Sequence, residues 1–553
     1  MKRLCALCLI IAFFSALLPT NTNARFSDQY AVIKCGLSYG SNGLVYANLE
    51  NYSGQGYSLG YFDSNREFTE IAYTSATKIT MLKDRSLYIT NDSKNLYVQD
   101  KPKNSVGTIG CYHKLAGEYR DYSSAQDAAS EYSGGFVAYS RGKYLALHGN
   151  YMSSSDASNL WTGSSNCVTV VETGTDRILF EFDGGSDTGL GIMPDGRGGE
   201  ALTWFKGYKY PGGFEYIRNS PDGNLTVINV LSMEDYIRGV LPSEMTYTWP
   251  LEALKAQAVC ARTYAAHNVG KHWSYGFDIC NTTDCQAYSG LQTQSPEIDR
   301  AVAETSGEYI TYGGEVASIF YFSSDGGATE DSENVFNEAI PYLRGKIDEY
   351  EPLITTGHES WTAEFTSAQI SEILQGKGYG IGSVVSITPV YTRLGNIYSV
   401  TFRDSRGKTF TFSREQARTI LGGSKVRSAR FTVTVKGSEA ETSDNETLYI
   451  AGQSEQFTET DVYAIGSNGT ERIAGHEVTV ITGSGSTAKR LLGELGQSLV
   501  SGVEQVGDTF VFRGSGWGHN VGMSQWGARA MAEHGKDYRD IINYYFTGVD
   551  VSR

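Results

Sequence analysis

The chain has 553 residues, with 46 Lys and Arg against 62 Asp and Glu, 63 Gly, 37 Tyr, 11 Pro and eight Cys. That length suits two to four domains. The acidic balance gives no attraction to phosphate backbones, which excludes nucleic acid as an electrostatically held partner. The excess of glycine and tyrosine over proline points to short strands and turns, with aromatic rings suited to flat polar ligands such as sugars.

The first 24 residues, MKRLCALCLIIAFFSALLPTNTNA, have the layout of a secretory signal peptide. Lys2 and Arg3 precede an apolar run from Leu4 to Leu18, and a short polar stretch ends in Ala24. The run is short for a membrane span. Cys5 and Cys8 lie inside it rather than after it, which argues against a lipoprotein. An exported, extracellular or wall-associated protein is expected, with no transmembrane segment in the mature chain. Six cysteines then remain, too few for a disulfide-built scaffold.

Residues 25–105 read as a β-rich region of short alternating runs. Residues 106–160 follow, with GCYHKLAGEYRDYSSAQDAASEYSGGFVAYSRGKYLALHGNYMSSSDA at 110–157. Here a strand leads to SSAQDAA, a helix start with Ser as cap, and a second strand leads to SSSDA, read as a short helix. This β-α-β pattern resembles the SPOR peptidoglycan-binding domain, whose members bind glycan stripped of peptide; a generic βαβ unit fits it equally well. Residues 161–230 return to strands. Ser232 caps a helix over MEDYIRGVLPSEM. A second helix runs through LEALKAQAVCARTYAAH behind Pro250, with Leu251, Leu254, Ala258, Ala261 and Ala265 as a narrow buried stripe. Further helices are expected over SPEIDRAVAETSG, at 366–376 and 414–421, and from Ser524 and Tyr538. Residues 437–507 open on an acidic loop and continue as strands, with a helix expected at AKRLLGELGQSL. The fold class is α+β and multi-domain.

Six segments then stand in order: EDYIRGVLPSEM, LEALKAQAVCARTYA, DICNTTDCQAYSG, YFSSDGGATEDSENVF, PYLRG and GSGWGHNVGMSQWGARAMAEHG. Together they resemble the SpoIID/LytB family, from about residue 165 to 553, with 437–507 as an insertion. The resemblance implies a peptidoglycan lytic transglycosylase, which cleaves the β-1,4 bond after N-acetylmuramic acid (MurNAc) and closes a 1,6-anhydro ring. It places the family's catalytic acid on Glu244. One carboxyl group suffices for this reaction because the muramyl 6-hydroxyl is the nucleophile, whereas a hydrolase needs two. Such an acid must start protonated, so it needs an apolar setting, which Leu241, Pro242, Met245 and Trp249 could supply.

Lys255, Gln257 and Arg262 follow on the next helix as expected substrate-binding residues. For Arg262 three roles stay open: a hold on the acetamide or lactyl oxygen, orientation of Glu244, or a plain salt bridge. Trp517, His519, Ser524 and Gln525 on the Gly-rich loop, with Ser323 and Ser324 in the SSDGG turn, are expected to line a sugar cleft. Where the family usually has Gly after the His, this chain has Asn520, a residue that tolerates left-handed backbone. His272, Cys280 and Cys285 offer ligands for a structural zinc. Many members carry His before the second Cys, where this chain has Asp284, and a Cys280–Cys285 disulfide is the rival reading. No organic cofactor is expected. The expected partners are peptidoglycan glycan strands and an N-acetylmuramoyl amidase. A non-catalytic enhancer of such an amidase is the competing function, and a hydrolase using Asp331 or Glu333 is a third.

Overall fold

A computed structural model describes residues 26–437 and 499–553, apart from 93–95, 187, 198–199, 221 and 294, together with the backbone of short strands between 449 and 492. The expected signal peptide lies outside the described residues, as does most of the acidic loop after Gly437. The architecture is α+β. A seven-stranded sheet runs in the order Ile279–Cys280, Val32–Ser38, Thr226–Ser232, Gly213–Ile217, Leu190–Pro194, Tyr57–Phe62, Phe68–Thr74. Its inner strand TVINVLS is buried at every position but the last, as expected of a strand covered on both faces.

A ten-stranded sheet takes strands from residues 46–51, 78–83, 112–119, 136–151, 160–172, 178–183 and 203–210. The two sheets share one hydrophobic core, with Ile33, Leu59 and Phe214 from the first and Leu49, Met81 and Phe180 from the second. Strands from 25–105, 106–160 and 161–232 therefore interleave, and boundaries near 105 and 160 cut across paired strands. Within 106–160, helix α1 (Tyr122–Ser130) is capped by Asp121 and lies between strands, in the expected β-α-β-β order. The SSSDA stretch is turn rather than helix, because Asp156 folds back onto the Ser153 N–H at 2.9 Å instead of opening a helix.

Helix α2 (Met233–Glu244) begins where Ser232 Oγ accepts from the Asp235 N–H at 3.1 Å. Helix α3 (Leu251–His267) follows behind Pro250. Twelve of the 17 residues of α3 are buried, so the narrow stripe expected from its pattern is instead all-round burial. Its alanines at 253, 256, 258, 261 and 265 let α2, α4 (Pro296–Glu304), α6 (Gln525–Glu533) and α7 (Tyr538–Tyr545) pack around it.

A second core lies C-terminal, with Trp361, Phe365, Phe402, Phe412, Phe431, Phe510 and Phe512 beneath helix α5 (Ser367–Gly376). Its strand Thr509–Gly514 pairs on one side with Trp361–Thr366 and on the other with Phe431–Val435. Within the inserted segment, Thr487–Leu492 is a strand paired with His476–Ile481, which corrects the helix expected over AKRLLGELGQSL. Strand pairing with a neighbour overrides local helix preference there. The Gly-rich loop leaves the second core at Gly514 and re-enters the first, where Met523–Ser524 pairs in parallel with Tyr321–Phe322.

Candidate active site

Glu244 is the last residue of α2, half-buried, beside the fully buried Leu241 and Met245. A helix C-terminus presents carbonyl dipoles that disfavour a carboxylate. Gln525, the first residue of α6, donates its Nε2–H to Glu244 Oε2 at 3.1 Å, and the Tyr321 phenol also hydrogen-bonds the carboxyl. Burial pushes the Glu244 carboxyl above the usual carboxylate range, and these two hydrogen bonds pull it only partway back. Among the described residues no second carboxylate acts on it. Burial thus favours the protonated carboxyl, while the two neutral donors are placed to stabilise its charged form.

Behind Tyr321 a buried chain continues. Gln286 donates to Tyr321 Oη at 2.9 Å and to the Ala261 carbonyl at 3.2 Å, and accepts from the Tyr236 hydroxyl at 3.1 Å. With both Gln286 hydrogens engaged, the Tyr321 oxygen is an acceptor there and its own hydrogen is free for Glu244. Tyr321 and Gln286 were not singled out from the sequence, although YFSSDGG and DCQAYSG contain them. Gln257 is fully buried; its Oε1 accepts from Gln525 at 3.5 Å and its Nε2 has no partner among the described residues. Gln257 therefore supports Gln525 rather than meeting a sugar directly.

The two cations expected at the site face elsewhere. Lys255 pairs with Glu252 at 2.8 Å and Glu304 at 2.5 Å. Arg262 is fully buried, bonds Glu234 at 2.6 Å and donates to the Glu308 carbonyl. Of the roles open for Arg262, the structure supports the salt bridge. Lys255 thus turns to α4 and Arg262 to the start of α2, because a buried guanidinium must be paired.

Three expected cleft serines and the histidine act on the loops themselves. Glu351, buried, accepts from Ser324 Oγ at 2.5 Å, Ser524 Oγ at 2.6 Å, and the Asp325 and Gly326 N–H groups at 3.0 Å. It ties the SSDGG turn to the start of α6. Asp325 and Asp348 lie beside it, equally buried. The Ser323 carbonyl receives the Trp526 N–H at 3.0 Å. His519 Nδ1 accepts from the Val521 N–H at 3.1 Å, and its ring packs among Phe320, Phe322 and Phe336. Burial lowers His519 to about 4, so the ring is neutral and anchors the loop. Asn520 takes the left-handed conformation with φ of 64° and donates to the Asp325 and Ala328 carbonyls, so the loop keeps its turn without the family's glycine.

Trp517 is 38% exposed. Its ring lies 5.5 Å from His358, which is 6.2 Å from Trp526, which in turn meets Trp249 at 4.8 Å. These rings form a row leading away from Gln525. His358 was not read from the sequence, where it stands alone in a segment without a motif. Asp331 and Glu333, the carboxylates a hydrolase would call on, are both paired with Arg344, and Asp331 with Arg393 as well.

Cys280 and Cys285 are unbonded thiols in the structure. With His272 and Asp284 they bring four ligand atoms within 4.8 Å of one another. Cys285 Sγ lies 3.4 Å from His272 Nε2, and Asp284 Oδ2 lies 3.4 Å from His272 Nε2, 3.8 Å from Cys280 Sγ and 3.9 Å from Cys285 Sγ. A tetrahedron with zinc bonds of about 2.0–2.3 Å has edges of about 3.3–3.8 Å, so the donor set fits the metal. Asp284, which the sequence had shown only as a departure from the family's His, places a fourth donor atom beside the other three.

A family model for the stage II sporulation protein domain matches residues 221–312, the segment that carries α2, α3 and the thiol loop. An uncharacterized protein of Brachyspira hyodysenteriae is 29% identical over 371 residues, 66% of this chain and 78% of its own length. The Bacillus subtilis amidase enhancer is 28% identical over 318 residues, 57% of this chain but only 40% of that protein. Stage II sporulation protein D of the same organism is 27% identical over 347 residues, 60% of this chain and 76% of its own length. The matched domain and these relatives support the SpoIID/LytB family, whose resemblance the six ordered motifs carry.

Proposed function

We propose that this protein is a peptidoglycan lytic transglycosylase with Glu244 as its single acid and base. The observation that carries the reading is one half-buried carboxyl, raised by burial, held by two neutral donors and free of any second carboxylate among the described residues. Protonated Glu244 gives its proton to the oxygen linking MurNAc C1 to N-acetylglucosamine. As that C1–O bond breaks, positive charge develops on the ring, and the carboxylate just formed stabilises it. Glu244 then takes the proton of the muramyl 6-hydroxyl while its oxygen bonds to C1, closing the anhydro ring. The proton count balances and water is not consumed. Gln525 and Tyr321 position the carboxyl and stabilise its charged form between the two transfers.

His272, Cys280, Asp284 and Cys285 would hold a structural zinc, which supplies rigidity to the loop leading into Gln286. The N-terminal sheets would bind glycan, and an amidase that removes stem peptides would be the partner. Denuded glycan strands incubated with the protein and resolved by mass spectrometry test the reading. Anhydromuramyl ends that disappear in Glu244→Gln support it; reducing ends, or strands left intact by the wild type, overturn it. The name of one relative, amidase enhancer, favours a second reading in which the chain binds glycan and stimulates an amidase. Intact strands together with faster amidase turnover would support that alternative.

A further inference from the structure

Beside the Gly-rich loop the structure leaves a cation without an anion. Arg427 is pinned by its backbone: its carbonyl accepts from the Gly518 N–H at 2.9 Å and from Arg418 Nη1 at 3.3 Å. Its guanidinium lies over the exposed Trp517 ring, 5.0 Å from the centroid, and forms no ion pair among the described residues. On the other side, the Gly516 N–H donates to the His358 carbonyl at 2.7 Å, which sets the imidazole 5.5 Å from the same indole. His358 Nδ1 is buried and has no hydrogen-bond partner among the described residues. The two carboxylates near His358 are already engaged. Glu351 accepts the four donors described above, and Glu359 accepts the Thr356 and Gly357 N–H groups. An exposed indole face, a guanidinium without an ion pair over it and a half-buried imidazole beside it thus lie together at the Gly-rich loop.

We infer that Arg427, Trp517 and His358 form a subsite for a saccharide that carries a free carboxylate. Resting on the transglycosylase reading, the subsite selects the muramyl lactyl group as a free acid rather than as an amide. Indole faces suit pyranose rings, and a guanidinium matches a carboxylate with two parallel N–H donors. In wall material that keeps its stem peptides, the lactyl group is an amide and carries no charge for Arg427 to meet. Once an amidase has cleaved that bond, the carboxylate is exposed. Burial lowers His358, so it places no second cation beside Arg427 and leaves the guanidinium as the charge that reads the carboxylate. The subsite gives a physical reason for an amidase to act first: its product carries the one group this cation lacks.

The test compares denuded strands bearing free lactyl acids with the same strands capped as lactyl methylamides. Both are measured for binding and for cleavage with the full-length wild type, Arg427→Gln and Arg427→Lys. The wild type is expected to prefer the free acid about ten-fold, as one charge-assisted contact gives. Arg427→Gln should lose that preference by falling to the capped level on free-acid strands while its binding of capped strands is unchanged. Arg427→Lys should retain part of it. Equal weakening on both strands would mean that Arg427 only packs against Trp517, and would overturn the proposal. An absence of preference in the wild type would overturn it equally. Failure of the transglycosylase reading would look different: neither strand cleaved, with the free-acid preference in binding intact.

Discussion

Replacing Glu351 by Gln tests how the site is held together. Glu351 is 4% exposed and accepts four hydrogen bonds, two on each oxygen, from Ser324, Asp325, Gly326 and Ser524. Glutamine has the same shape but one oxygen, so two donors would face an amide N–H₂ and the other two would lose the charge. A hydrogen bond to a charged group is worth about 1.5–3 kcal/mol, so the loss should reach about 3 kcal/mol even after partial relaxation. At about 2–4 °C per kcal/mol for domains of this size, the melting temperature should fall by about 6–12 °C. The SSDGG turn and the start of α6 would separate, moving Gln525 away from Glu244. Scanning calorimetry reads the first effect and the rate of anhydromuramyl product formation reads the second. Glu359→Gln, on an exposed neighbour, serves as control. A Glu351→Gln protein that melts within a degree of the wild type at full rate would refute the argument.

Other outcomes follow from the same geometry. Tyr321→Phe removes a donor that favours the charged form of Glu244, so the carboxyl should hold its proton to higher pH. The alkaline limb of the pH–rate profile should move upward, and Gln286→Leu added to Tyr321→Phe should move it no further. Glu244→Gln should raise the melting temperature near neutral pH. Because the folded-state pKa of Glu244 is raised, the wild type loses stability as pH rises from the unfolded carboxylate range through that value. Below the ordinary carboxylate range the difference should vanish in melts run across pH. Trp517→Ala should weaken glycan binding by about ten-fold, with the fold intact by circular dichroism. Removing metal with a chelator should lower the melting temperature, and Asp284→Ala should reduce the bound zinc measured by atomic absorption.

Much of the site could be read in the sequence because its parts lie inside short ordered motifs. Glu244 and Gln525 were found this way and prove to be hydrogen-bond partners, and His272, Cys280 and Cys285 were found this way and lie together. Lys255 and Arg262 were misplaced because helical spacing shows that they share a face but not which way that face turns. Only the packing of α2 and α4 against α3 places Glu234, Glu304 and the Glu308 carbonyl in front of them. Ser324 and Ser524 look like sugar ligands until the distant Glu351 arrives between them, a contact no local pattern encodes. His358 and Arg427 flank the Gly-rich loop only because backbone bonds from Gly516 and Gly518 draw together three segments far apart in sequence. The strands of the N-terminal 230 residues were legible one by one. Their interleaving into two sheets was not, since strand order depends on non-local pairing.

The insertion between residues 436 and 508 has a consequence of its own. It leaves at Val435 and returns at Phe510, which face each other across two adjacent antiparallel strands. A segment anchored at two neighbouring points adds loop-closure entropy that grows only slowly with its length. The strand Thr509–Gly514 carries the Gly-rich loop, yet it is gripped on both sides by other strands whatever the insertion contains. Residues 500–506 also pair with the strand Val384–Tyr391 before the chain reaches Phe510, so a change of length between Gly437 and Val500 would leave Gln525 in register with Glu244.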